Sequence, residues 1–170
     1  MITPGWCHTM ARYNSWQNAN LIGAADTLDA AARAKDRGAW FGSIQGTLSH
    51  LLWGDLIWMS RFDGGEPPPK AKFPEETATA FADWADYKRK RRATDARIET
   101  WATLLEPDDL EGDLTWYSAG LGRELSKPKT LCIMQLFNHQ THHRGQVHAM
   151  LTAAGARPGD TDLPLMPDAL

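Results

Sequence analysis

Histidine is concentrated at one place in this chain: the stretch LFNHQTHHRGQVH, residues 136–148, holds four of the protein's 6 histidines. Imidazole is the commonest protein ligand for a divalent metal, and an ordinary surface helix has little other need of it. His139 and His143 are four apart, so on a helix of 3.6 residues per turn they project from nearly one face, and both reach a single ion. His139 with His142 is the other workable spacing, but it turns His143 away from the site, and the 139/143 pair is preferred. Gln140 after His139 rules out the His-Glu-x-x-His pattern of zinc proteases. Two imidazoles hold an ion weakly, so a third ligand must come from another element.

His50 is the candidate. Its neighbours one helical turn either way are Gly46 and Gly54, which leave that face open to a close-packed helix or a ligand. Alone, His50 reads as a core histidine; set against a 139/143 pair in the middle of a partner helix, it reads as the third ligand. Three neutral imidazoles leave positions for water or substrate, the arrangement of a catalytic rather than a structural metal. Such a set takes one divalent transition metal, zinc, nickel or ferrous iron, and ligand type does not choose among them. Protons compete for imidazole near its ordinary pKa of about 6.5, so occupancy is expected to fall below neutrality.

The elements that must position these residues read as helices. Helix one covers TPGWCHTMARYNSWQNANLIGAADTLDAAARA, with Thr3 as N-cap, Pro4 in the first turn and apolar residues through Leu28. Helix two is SIQGTLSHLLWGDLIWMSRF, capped by Ser43 and ended by DGGEPPPK, which makes residues 63–73 a connector. Helix three is expected from Pro74 to about Leu105, with Phe81, Trp84, Tyr87, Ile98 and Trp101 near helical spacing and the basic run KRKRR as a solvated face. LEGDLTWYSAGLGRELSKPK, with short alternating stretches about a Gly-rich centre, reads as a small hairpin or crossover. Helix four carries the histidine pair, with Thr130 as N-cap, Gly155 as stop and Pro158 beyond. This pattern predicts an all-α four-helix bundle, whose centre commonly houses a metal or ligand.

Length and composition bound the function. At 170 residues and 42% hydrophobic the chain suits one domain, residues 1–170, with its own core. The 18 basic and 21 acidic residues give a net charge of -3, which disfavours nucleic acid as a partner. No apolar run is long enough for a bilayer, no signal peptide opens the chain, and two distant cysteines, Cys7 and Cys132, form no disulfide framework. A cytoplasmic protein is expected. The 8 tryptophans read as core or interface residues.

ARYNSWQN, GSIQGTLSHLLWGDLIWMSRF and FNHQTHHRGQVHAMLTAAG together resemble the DinB family, also called DinB/YfiT-like, over helices one, two and four. The His-x-x-x-His-Arg-Gly-Gln element is the specific part; residues 64–128 match only in general shape. The resemblance implies a four-helix bundle and a divalent metal held by one histidine on the second helix and two on the fourth, here His50, His139 and His143. It implies thiol S-transfer or a related hydrolysis, a small-molecule or thiol substrate, and, with the tryptophan-rich helices, a homodimer. The family's name refers to DNA-damage induction, which does not make this chain act on DNA. The rival expectation is a non-catalytic metal-binding stress protein, or an ion that only holds helices two and four together.

Other residues near the site have plainer readings. Arg144 reads as a salt bridge or subunit contact, Gly145 and Gln146 as close packing and a polar contact, and His142 as pocket rim or dimer surface. His8 and His148 read as ordinary polar residues. Asp55, on the core stripe of helix two, needs a partner if buried, and a structural role is preferred to orienting a ligand histidine. Cys132 lies two turns before His139 on roughly the same face, and a small buried hydrophobe is the commoner role for it than a nucleophile.

Overall fold

The computed structural model describes residues 2–168 of the chain. Four long helices dominate: α1 (Pro4–Asp26), α3 (Ile44–Phe62), α4 (Trp84–Leu104) and α5 (Lys129–Ala153), with a short α2 (Ala30–Ala34) after the first. Strands β1 (Asp113–Ser118) and β2 (Arg123–Pro128) pair antiparallel between α4 and α5, so the expected hairpin is present, with Asp113 opposite Pro128 and Ser118 opposite Arg123. Leu114 and Trp116 on β1 turn inward while Asp113, Thr115 and Tyr117 stay exposed, the alternation of a strand with one covered face. No helix among the described residues is long and apolar enough to cross a membrane.

The caps follow the residue types. The side chains of Thr3 and Ser43 accept from Trp6 N and Gly46 N, satisfying otherwise orphaned donors at the starts of α1 and α3. Gly155, at φ 83, ends α5 in the left-handed region, and Ala156 N closes back on the Leu151 carbonyl.

Three expected boundaries are corrected. Helix one stops at Asp26, because the Thr27 hydroxyl bonds the Ala24 carbonyl and Asp29 then caps the separate α2. Helix three does not begin at Pro74: residues Pro74–Thr79 form a 3-10 turn, and α4 starts only after Asp83, whose carboxylate accepts from Asp86 N. Phe81, expected on that helix, is buried ahead of it, where its N–H donates to the Ser49 hydroxyl of α3. Thr130 is inside α5 rather than capping it, since the helix follows β2 directly after Pro128.

Two apolar clusters fill the interior. One gathers Leu21, Leu48, Leu52, Tyr87, Val147 and Leu151; the other gathers Cys7, Met59, Ile98, Ile133, Leu136 and Phe137. Burying each large aliphatic side chain contributes about 1.5 to 3 kcal/mol. Each long helix contributes to both clusters, so α1 and α5 run from the second to the first while α3 and α4 run the other way. The α3 to α4 connection must therefore return along the molecule. That return is residues 63–83, anchored where Trp53 Nε1 donates to the Pro69 carbonyl at 2.8 Å.

Between the two clusters lies a buried polar layer. Asp55 of α3 bonds Arg91 of α4 at 2.6 Å and accepts from Gln140 of α5 at 3.0 Å. Arg91 also meets Asp95 at 2.7 Å, and Asp95 accepts from Asn14 and Asn18 of α1 at 2.9 and 2.8 Å. Arg144 donates to Asn14 and lies 5.5 Å from the Tyr13 ring centre. This corrects the solvated reading of KRKRR. Arg91, the fourth residue of that run, has no solvent exposure, because the carboxylates of Asp55 and Asp95 compensate its charge inside the protein. Arg144 makes no ion pair among the described residues; its guanidinium is part of the same layer instead.

Candidate metal centre

The antiparallel packing of α3 on α5 brings His50 to His139 and His143, and one ring nitrogen of each lies within 4.8 Å of the others. His50 Nε2 and His139 Nε2 are 3.0 Å apart. Two nitrogens on one ion, each bonded at ~2.0 to 2.1 Å, are separated by roughly 2.8 to 3.4 Å for octahedral to tetrahedral angles, so this spacing suits a shared ligand. The ring centres are 4.4 to 5.1 Å apart and the rings stand edge to face.

Local contacts decide which nitrogen is free. Thr77 Oγ1 donates to the Pro74 carbonyl, so toward His50 Nδ1, at 2.8 Å, it acts as acceptor. That fixes the proton of His50 on Nδ1 and leaves the lone pair on Nε2, aimed at the other histidines. Gln146 Oε1 accepts from His143 Nδ1 at 2.7 Å, with the same consequence for His143. His139 differs: its Nδ1 is buried with no hydrogen-bond partner in the protein. Its ring abuts Gly54 on the Cε1 side, where an added Cβ would come 2.7 Å from His139 Cε1. Gly54 is therefore the space the His139 imidazole occupies. Gly46 serves another contact, since a Cβ there would strike the Phe41 carbonyl at 2.3 Å.

Phe41 covers the site from the turn before α3. Its ring stacks on His50 at 3.7 Å between centres and meets His143 edge-on at 5.5 Å. Gly42 at φ 72 makes the turn that presents it. Burial, with the neighbouring imidazoles adding to it, lowers the His50 pKa to about 3 and that of His139 to about 4, and burial lowers that of His143 as well. All three rings are neutral at pH 7, the form that donates a lone pair to a metal. Three neutral imidazoles gathered within 4.8 Å, two of them with the proton held on Nδ1, fit a divalent transition ion.

Gly145, expected to allow close packing, is exposed with nothing within 4 Å of its would-be Cβ; the other residues singled out in the sequence take the following places. His50, His139 and His143 come together; His142 is exposed, edge-on to His143 at 4.9 Å, outside the cluster. His8 is exposed and His148 half-buried. Asp55 serves the polar layer. Cys132 is buried and burial raises its pKa, which argues against a thiolate nucleophile. Thr77 and Phe41 were not legible as site residues. Both sit in non-helical segments, and only the positive-φ demand at Gly42 and the Pro74-bounded turn hint that those segments are fixed.

The DinB family model matches residues 1–169. No curated protein matches the chain. Among solved structures, a DinB-like protein from Bacillus cereus ATCC 10987 is similar at 18% identity and a TM-score of 0.55, covering 85% of this chain and 90% of that one, which is a likeness of fold. With a family model spanning nearly the whole sequence, the chain belongs to the DinB family.

Proposed function

We propose that this protein is a metal-dependent enzyme of S-transferase or hydrolase type, with His50, His139 and His143 as the complete protein ligand set for one zinc, nickel or iron ion. The observation that carries the reading is the pair of imposed tautomers: Thr77 and Gln146 each hold a proton on Nδ1 and leave Nε2 of His50 and of His143 unprotonated, in a cluster whose ligand nitrogens lie within 4.8 Å of one another. Held there, a divalent ion supplies Lewis acidity that makes a thiol or water nucleophilic near neutral pH. The chain's own part is to orient three imidazoles, cover one side with Phe41 and leave the rest to substrate. No carboxylate or thiol joins the cluster among the described residues, so no fourth protein ligand closes the coordination shell.

In the same reading the four long helices are a four-helix bundle of DinB/YfiT type, and the protein acts as a homodimer, for which exposed apolar side chains such as Trp40 and Leu104 offer contact surface. The polar layer and the two apolar clusters already join α3 to α5, which supports a catalytic over a structural ion. The test is metal analysis of untagged protein, followed by thiol-conjugation and ester-hydrolysis assays with and without chelator. One ion per chain and a chelator-sensitive rate are expected. Absence of a bound ion overturns the ligand set, and a bound ion without any chelator-sensitive turnover overturns the enzyme.

A further inference from the structure

A cavity of about 650 Å³ opens beside the amino-terminal half of α5, and none of the three clustered histidines lines it. Its floor is Cys132 and Phe137, both buried; its walls are the half-buried indoles of Trp6 from α1, Trp58 from α3 and Trp116 from β1. Walls from three different elements and a volume within the roughly 300 to 1,000 Å³ of small-molecule sites make this a pocket rather than a bare helix face.

The charge around it is one-sided. Lys127 is its single charged lining residue, and no carboxylate lines it. Arg61 stands beside it, its guanidinium 4.6 Å from the Trp58 ring centre and 5.1 Å from that of Trp116. Among the described residues neither Lys127 nor Arg61 has an ion-pair partner. Asp113 is near enough to Cys132 to raise its pKa, but it is exposed, does not line the cavity, and accepts from the Ser126 hydroxyl at 3.4 Å. Indole walls favour a flat apolar body, and two unpaired cations at one side favour a negative group attached to it.

We propose that this cavity binds a small amphipathic anion, an aromatic or aliphatic body seated against Trp6, Trp58 and Trp116 with its carboxylate or sulfonate toward Lys127 and Arg61. The site is independent of the histidine cluster. No covalent step is part of it, since the Cys132 thiol is held protonated.

The experiment titrates the full chain with 8-anilinonaphthalene-1-sulfonate and with its uncharged counterpart N-phenyl-1-naphthylamine, following dye emission and tryptophan quenching. Expected are one saturable site per chain for both dyes, and a loss of about tenfold in sulfonate affinity for the Lys127→Gln, Arg61→Gln double variant, the neutral dye staying within about twofold. If removing Arg61 disturbs the indoles, as near-ultraviolet circular dichroism would show, Lys127→Gln alone carries the comparison, with a loss of about threefold expected. Unsaturable binding, or a sulfonate affinity unchanged by the charge removal, overturns the proposal. So does a dimer in light scattering that Leu131→Asp splits and that admits dye only after splitting, because a second copy is then the occupant.

Discussion

The polar layer and the histidine site meet on α5 at adjacent residues, Gln140 and His139, and they are opposite solutions to burying polar groups. In the layer, charge meets charge: Arg91 is held between Asp55 and Asp95, and the amides of Asn14, Asn18 and Gln140 donate to the same carboxylates, although Arg91 Nε, Asn18 Oδ1 and Gln140 Oε1 stay buried without a partner. In the site, three neutral rings aim lone pairs at one another, and one buried nitrogen has no partner. The layer's carboxylates and guanidinium offset one another, whereas the site brings uncharged rings together with no cation among the described residues to bind their nitrogens. A charge-compensated network of this kind fixes which helices meet and at what height, while clustered neutral imidazoles hold the capacity to bind a cation.

The layer is most vulnerable at Arg91. Arg91→Met leaves the Asp55 and Asp95 carboxylates buried without their cation, and removing one partner of a buried pair costs about 3 to 5 kcal/mol. Chemical denaturation should show that loss; a variant as stable as wild type would mean that the layer is solvated after all. Next comes the site. His50→Ala, His139→Ala and His143→Ala each leave two imidazoles, and metal affinity should fall by about a hundredfold or more. The helical circular dichroism should be kept, because the layer and both apolar clusters remain. His142→Ala and His148→Ala should retain the ion. Full occupancy in His50→Ala would take the α3 ligand out of the set.

Gly54→Ala sharpens the boundary between the two regions. The new methyl would press on His139 Cε1, next to the Asp55–Gln140 contact, and such overpacking costs about 1 to 3 kcal/mol. Metal affinity should drop by about tenfold as the ring is displaced. Loss of stability without loss of affinity would show that the ring yields into free space and that Gly54 does not set its position.

How much of this could be read beforehand depends on whether the cause is local. The i, i+4 spacing of His139 and His143, the open face at Gly54 and the caps at Thr3 and Ser43 are properties of single segments, and they appear in the structure as expected, whereas Gly46 makes room for the Phe41 carbonyl instead. Arg91 misled because a basic run states its charge but not its partner, and Asp55 lies on another helix. The spacing from Arg91 to Asp95 was in plain view, yet on an exposed helix the same spacing is an ordinary surface pair. Thr77 and Phe41 reach the site only because the return of residues 63–83 and the turn at Gly42 are set by tertiary packing, which no periodicity in those segments records.

Acid distinguishes the two regions most gently. For the histidines the folded pKa values, about 3 for His50 and about 4 for His139, lie below the unfolded value of about 6.5. Between those limits the unfolded chain binds more protons than the folded one. The histidines' contribution to apo-protein stability is therefore full above about pH 6.5, declines as the pH falls, and stops declining only below about pH 3, while Asp95, raised to about 6 by burial, works in the opposite sense between about 4 and 6. The decline is shallow, since the rings are partly exposed and solvent screens them. The same displacement revises the expected pH for metal release: a proton must enter a buried, neutral cluster to compete, so release should be centred below the ordinary imidazole pKa of about 6.5. Metal stoichiometry after equilibration across pH 3.5 to 7 measures this directly. Release centred near 6.5 would show the imidazoles to be solvated in solution, and the burial of His50 beneath Phe41 would then be the contact to discard.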